Sequence, residues 1–318
     1  MLYKQQVDII IPVHNSEKYL SDCLKSIDNQ EYNKINVIII NDGSNDKSEK
    51  IINSYMHSSK FTVKYFAFQE PQGVSGARNK GISLSTGEFV TFVDSDDVIL
   101  PNHVKTLVHN ISGEVILSAV HIFKKNSSQN TNYESKTLSL SESFINVLSS
   151  KGVEGYVWNK LFRNELLQKY HVQFKKNIIM SEDLLFVCDY LLKASGDMRI
   201  SSTQSYYYRI NNTSATKSSS AKEARIQSQY LVYTLIEKMI SESTVNSKAV
   251  KVFYEKFMLF LNYALYQIDG NEQSYQLALL LKKFERRYLI SFFMSNAIMS
   301  KEKLGYLYRK IKGGNYEP

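Results

Sequence analysis

Three carboxylates fall within four residues at Asp94-Ser95-Asp96-Asp97, directly after the apolar run Phe89-Val90-Thr91-Phe92-Val93. Neighbouring like charges repel, and a buried carboxylate without a partner is unfavourable. A hard divalent cation relieves both problems, because it takes oxygen ligands and shares them with a substrate phosphate. The plainer reading is a solvated turn in which Asp96 or Asp97 caps a following helix.

Such a cluster needs a rigid edge, and the N-terminal half supplies one. Residues 7–12 read as a buried strand, and Ser16 is expected to cap a helix carrying Tyr19, Leu20, Cys23, Leu24 and Ile27 at helical spacing. Residues 35–40 form a second strand; a helix starting at Ser44 or Asp46 follows and carries Ile51, Ile52 and Tyr55. Residues 62–68 are a third strand, and a small-residue helix over residues 75–85 precedes the strand that ends at Asp94. Near-continuous apolar strands alternating with helices predict an α/β fold, a mostly parallel sheet flanked by helices. Right-handed crossovers place the loops at residues 12–16, 41–44 and 94–97 on one edge, where open α/β sheets bind ligands.

The 318 residues, 43% of them apolar, suffice for one large domain or a domain with an extension. The middle reads as a strand over residues 114–124, a polar loop over 125–136 and a helix over 141–148. An aromatic and basic patch over residues 156–163, a helix opening at Ser181-Glu182-Asp183 and a strand over 199–208 follow. After a polar segment at residues 211–220 the chain is helical, with apolar sets Leu231, Leu235, Met239, then Phe253, Phe257, Phe260, Leu261, Leu265, then Leu277, Leu280, Leu281, Phe284. Residues 1–220 are thus expected as the main domain and 221–318 as a helical subdomain.

No stretch reads as a membrane span or a signal peptide. Cys23 and Cys188 lie in apolar helical patterns and read as buried thiols in a reducing cytoplasm, and the six histidines show no ligand spacing. The net charge of +8 is uneven: residues 221–318 hold 15 Lys/Arg against 9 Asp/Glu. That basic tail reads as helices packed on the main domain or on a twin subunit in a homodimer. The other reading is a surface resting on a membrane through Tyr306-Leu307-Tyr308-Arg309 and the basic residues after it. Its aromatics sit at core spacing without a nucleic-acid motif, so no nucleic-acid partner is expected.

Six segments, in order, resemble glycosyltransferase family 2, the inverting transferases of GT-A fold. They are Ile9-Ile-Ile-Pro-Val-His-Asn15; Ile38-Ile-Ile-Asn-Asp-Gly-Ser-Asn-Asp46; Ala77-Arg-Asn-Lys-Gly-Ile82 with Thr86-Gly-Glu-Phe-Val-Thr-Phe-Val-Asp-Ser-Asp-Asp97; Trp158-Asn-Lys-Leu-Phe-Arg163; Ser181-Glu-Asp-Leu-Leu-Phe186; and Tyr207-Tyr-Arg209. The resemblance covers residues 5–215 and includes a DxD pattern at Asp94 and Asp96. It departs at His14, where the family often carries Tyr beside the base pocket.

The resemblance implies a nucleotide-sugar donor, of UDP type, and a divalent cation, Mn2+ or Mg2+. It implies transfer of one hexosyl or N-acetylhexosaminyl group, with inversion, to a hydroxyl of a saccharide or glycoconjugate, lipid-linked acceptors included. The setting would be surface polysaccharide or glycan synthesis, in the cytoplasm or at the inner membrane face. Residues 1–100 would form the donor half and 101–220 the acceptor half.

On matching positions, Asp96 is the implied direct metal ligand, and Asp94 faces the ribose and the metal shell. Asp42 accepts a hydrogen bond from base or ribose, and Pro12, Val13 and Asn15 border the nucleotide. Arg78 pairs with the diphosphate or orients Asp94, and Arg209, with Ser214, closes over the diphosphate. Of the acidic pair, the family points to Asp183 as general base, with Glu182 beside it, while Trp158 stacks on the acceptor sugar. Plainer roles stand beside these: a turn residue for Asp42, a salt bridge for Arg78, dipole-favoured acids at 182 and 183, a core ring for Trp158, loop support or a helix cap for Asp97. One acidic loop cannot easily flank a glycosidic bond from both sides, which argues against a two-carboxylate hydrolase. The alternative function is a non-catalytic nucleotide-sugar-binding partner of another transferase.

Overall fold

The computed structural model describes residues 5–111, 113–124, 134–210 and 222–267. The polar segment with Ser214, and the C-terminal positions from Leu277 through the basic stretch after Tyr306, lie outside the described residues. The chain begins as β1 (Val7–Val13), α1 (Leu20–Asp28), β2 (Ile35–Asp42), α2 (Ser48–Ser58), β3 (Thr62–Phe68), α3 (Gly73–Leu84) and β4 (Phe89–Phe92). It continues through β5 (Val98–Ile99), α4 (His103–Asn110), β6 (Val115–Lys124), β7 (Lys136–Leu138), α5 (Leu140–Leu148), β8 (Lys160–Arg163) and α6 (Asn164–Lys169). Then come α7 (Glu182–Ala194), β9 (Asp197–Tyr208), α8 (Lys222–Ser241) and α9 (Ser247–Gln267).

One sheet of order β3-β2-β1-β4-β8-β6-β9-β5, with β7 on β9, runs through the molecule. Its first four strands are parallel, as their apolar runs require; β8 then enters antiparallel between β4 and β6. Every residue of β1 is buried because helices cover both faces. Ile10 faces the layer holding Ala77 and Ile82, while Ile9, Ile11 and Val13 face Leu20, Cys23, Leu24 and Ile27. Both cysteines are free and buried, as read from sequence.

The small residues of α3 have a packing cause. A Cβ on Gly81 would fall 2.3 Å from the Ile10 Cγ2, so α3 sits on β1 at a distance only glycine permits. Gly81→Ala is therefore expected to destabilise the fold by about 1–3 kcal/mol through overpacking, read as a lower urea midpoint.

Several local expectations need correction. Ser16 does not cap α1 with its side chain; its hydroxyl pairs with Ser95 Oγ at 2.7 Å, and its carbonyl accepts the first amides of the helix. Helix α2 starts at Ser48, later than Ser44, with the Asp46 carboxylate accepting the Ser48 amide at 2.9 Å. The strands β5, β7 and β8 were not expected; each has at most four residues, too few for a period to show.

Helices α8 and α9 pack on α7 and α5 and join the larger core cluster. Phe253, Phe257, Phe260 and Leu261 are buried as their spacing suggests. In α8 the buried stripe is Val232, Tyr233, Ile236 and Ile240, whereas Leu231 is 43% exposed, so the expected Leu231-Leu235-Met239 face is offset by one position. From α8, the Ser228 hydroxyl accepts the amides of Ile179 (2.9 Å) and Met180 (3.2 Å), just ahead of α7. Among the described residues, no helix is long and apolar enough to cross a membrane.

Candidate active site

The loops after β1, β2 and β4 meet at one edge of the sheet. The His14 ring Nδ1 lies 2.6 Å from the Asp42 carbonyl oxygen, the Asn15 amide donates to Ser44 Oγ at 3.0 Å, and the Ser16 amide donates to Ser48 Oγ at 2.8 Å. Asn15 takes a left-handed φ of 48°, which asparagine tolerates, and its side-chain oxygen accepts the Asn45 amide at 2.9 Å. Pro12 and Val13 are buried. Asp42 is buried too, and its Oδ1 accepts the Gln72 amide at 2.6 Å. One oxygen of Asp42 therefore braces the turn, the plainer of its two expected roles.

In the acidic loop the three carboxylates have different fates. Asp97 is 1% exposed and accepts the Tyr206 hydroxyl at 2.9 Å and the Arg209 amide at 2.7 Å. The Asp94 amide in turn donates to the Tyr206 oxygen at 3.2 Å. Burial, with Asp94 adding negative charge, pushes the Asp97 carboxyl up to about 8. Asp97 thus supports the loop and does not cap a helix, since β5 comes next. Asp94 and Asp96 are left half-exposed at the rim.

Opposite them, α7 begins with Glu182 and Asp183, and one guanidinium joins the two acidic groups. Arg78, on α3 and 3% exposed, donates from Nη2 to Asp94 Oδ1 at 2.9 Å and from Nη1 to Asp183 Oδ1 at 2.5 Å. Glu182 Oε1 lies 3.5 Å from the same Nη1. Orienting Asp94 was one of the expected roles of Arg78; the link to Asp183 was not expected. One cation among three carboxylates leaves excess negative charge, so a proton is retained easily. Burial raises Asp183 to about 7, with Glu182 and Asp94 adding to the rise and Arg78 opposing it. The three carboxylates hold Arg78 firmly in its charged form.

The structure places Trp158 and Arg209 as follows. Trp158 is 3% exposed and enclosed in a stack with Tyr156 (4.6 Å), Tyr206 (4.3 Å) and Tyr208 (5.7 Å). It has no open face for an acceptor sugar, because its apolar area is spent ordering β9 against the loop before β8. The Arg209 guanidinium rests 4.6 Å over the Tyr19 ring and 3.2 Å from Asp22 of α1. Tyr206 was read only as a strand end, yet its hydroxyl organises the acidic loop; a hydroxylated ring at a buried strand end was the available signal. An open cleft of about 900 Å3 between α1 and α2, lined by Lys18, Lys25, Lys47 and Lys50, holds none of these groups.

A mixed sheet with an acidic loop at its carboxyl edge, faced by a carboxylate at a helix start, defines a glycosyltransferase of GT-A fold. The glycosyl transferase family 2 profile matches residues 8–185, and the chain belongs to that family. It is 32% identical over 174 residues to EpsH of Bacillus subtilis (strain 168), covering 53% of this chain and half the length of EpsH. It is 26% identical to the cholesterol galactosyltransferase of Borreliella burgdorferi, over 98% of this chain and 85% of that protein. The fold matches S. aureus TarS 1–349 with a TM-score of 0.72 at 20% identity, over 98% of this chain and 93% of that one. TarS 1–349 in complex with UDP-GlcNAc matches at 0.65 and 18% identity, with the same coverage.

Proposed function

We propose that the chain is an inverting, cation-dependent transferase. It moves a hexosyl or N-acetylhexosaminyl group from a UDP-type donor to a hydroxyl of a saccharide or glycoconjugate, in surface polysaccharide or glycan synthesis. The carrying observation is the Arg78 bridge, which brings the carboxylates of the strand-end loop and the facing helix within reach of one guanidinium. Displacement with inversion needs a proton acceptor on the side away from the leaving diphosphate, and the two acidic groups offer those two sides. The UDP-GlcNAc complex of TarS supports a UDP-type donor.

The residues fit a cation shared with a substrate. Asp94 and Asp96 are half-exposed oxygen donors. Among the described residues, no three His, Cys, Asp or Glu side chains are placed to enclose an ion by themselves. That suits Mg2+ or Mn2+, which use one or two carboxylates and complete their shell with phosphate and water. When bound, the cation supplies positive charge to the departing diphosphate.

The other steps belong to the chain. Asp183 takes the proton of the acceptor hydroxyl as its oxygen attacks the anomeric carbon, and Glu182 lines the acceptor side. Asp42, Asn15 and the backbone of Pro12 and Val13 border the nucleoside. Arg209 exchanges its exposed pair with Asp22, a weak contact by its setting, for the diphosphate.

The test is an assay of UDP release with a panel of UDP-sugars, Mn2+ and glycoside acceptors. Acceptor-dependent release supports the reading; donor binding without release on any acceptor would mark a binding partner instead. Asp96→Ala is expected to remove the Mn2+-dependent thermal stabilisation by donor, about 2.7 kcal/mol at a hundredfold excess over Kd in the wild type. An unchanged Mn2+ response in that variant would move the cation elsewhere.

A further inference from the structure

We propose that the loop over residues 153–157 is an acceptor subsite, in which a saccharide ring lies against Tyr156 and hydrogen-bonds Glu154; this rests on the transferase reading above. The loop carbonyls are held by buried side chains. The Nζ of Lys160, fully buried, lies 3.2 Å from the Val153 carbonyl, 2.7 Å from those of Glu154 and Tyr156 and 2.9 Å from Asn159 Oδ1, four acceptors that share its N–H groups. The Asn159 side chain adds a bond to the Val153 carbonyl at 3.0 Å. Burial pushes the Lys160 amine down to about 7, with Asp183 and Glu154 opposing the shift, and a buried amine is unfavourable unless its N–H groups are used. Here they hold one short loop from beneath and keep Glu154 at a left-handed φ of 52°.

The loop is also pressed against the helix that carries the base. A Cβ on Gly155 would lie 2.6 Å from Leu184 Cδ1 and 2.9 Å from its Cα, so the loop backbone touches the first turn of α7. The Val157 amide donates to Asp183 Oδ2 at 3.3 Å. An acceptor hydroxyl must come within hydrogen-bond reach of Asp183, and the loop borders that approach.

What the loop presents is suited to a sugar. Tyr156 is half-buried, with one face stacked on the enclosed Trp158 at 14°. Beside it, Glu154 faces the Tyr156 hydroxyl, and burial together with that carboxylate pushes the phenol up to about 12. An aromatic ring takes the C–H face of a pyranose, and a carboxylate accepts its hydroxyls. The nucleotide loops meet Arg78 from the Asp94 side, whereas this loop meets Asp183 directly. The subsite therefore serves the acceptor and not the donor.

The test compares Tyr156→Ala, Tyr156→Phe and Glu154→Gln with the wild type, using methyl glycosides and short oligosaccharides as acceptors. Tyr156→Ala is expected to raise acceptor KM about tenfold, the factor given by about 1.4 kcal/mol, with donor KM unmoved. Tyr156→Phe should recover most of that loss, and Glu154→Gln should raise acceptor KM on its own. Saturation-transfer NMR with methyl glycosides and UDP reads acceptor contact without turnover. Signals present with Asp183→Asn and lost with Tyr156→Ala support the subsite. Equal signals, or equal acceptor KM, in wild type, Tyr156→Ala and Glu154→Gln overturn it. Glycoside contact without transfer in the wild type overturns only the transferase reading; transfer with no contact at Tyr156 overturns only the subsite.

Discussion

Asp183→Asn is expected to lower kcat about 10²–10⁴-fold, the range a general base contributes, with donor affinity unchanged. The amide keeps the shape of the group, but its one oxygen can accept from Arg78 or from the Val157 amide and not from both, so a urea melt of the variant separates lost proton transfer from lost stability. The same carboxyl sets the pH dependence. Its ordinary value near 3.8 is raised to about 7, and the base works only when deprotonated. Acceptor-side kcat/KM should therefore rise with pH and level off above about 7. Glu182 adds to the rise, so Glu182→Gln should move that limb to lower pH. A limb near 4 in the wild type, or a fully active Asp183→Asn, would remove Asp183 from the role.

Arg78→Gln is expected to cost about 3–5 kcal/mol in folding free energy at pH 8, the usual result of removing one partner from a buried ion pair. Asp94, Glu182 and Asp183 would then face one another without a cation. The deficit has a sign in pH. Without the guanidinium the carboxyls hold their protons more tightly in the folded state than in the unfolded chain. Stability then falls as pH climbs through the raised values and returns on acidification. Urea melts at pH 5 and pH 8 should show the variant closest to wild type at pH 5. Equal urea midpoints for the two proteins at pH 8 would mean that the cluster is solvated. Transfer should vanish as well, because both acidic groups lose their common orientation.

Much of this site was legible because its parts sit at the ends of strongly patterned strands. Val7 to Val13, Ile35 to Asp42 and Phe89 to Phe92 are apolar enough to announce buried parallel strands, and their loops had to share an edge. The acidic loop and the pair at 182–183 were visible as charges out of place. What joins them was not visible. Arg78 and Asp183 are 105 residues apart, and no local pattern says that an arginine among small residues reaches a distant helix start. Trp158 misled for a related reason. An aromatic beside a basic residue looks the same in sequence whether its face is open or enclosed, and only the packing of Tyr156, Tyr206 and Tyr208 decides. Lys160 would pass as a surface lysine until its carbonyl partners are placed.

Ser228 ties the C-terminal helices to the backbone just ahead of α7. Its hydroxyl fastens the backbone at Ile179 and Met180, so the helix that follows is splinted by a residue more than forty positions downstream. The family profile matches the chain as far as residue 185, short of Ser228. A fragment trimmed to that stretch would keep every acidic group and lose the brace that aims one of them. On the proposed reading, the working unit therefore extends past residue 185 to α8.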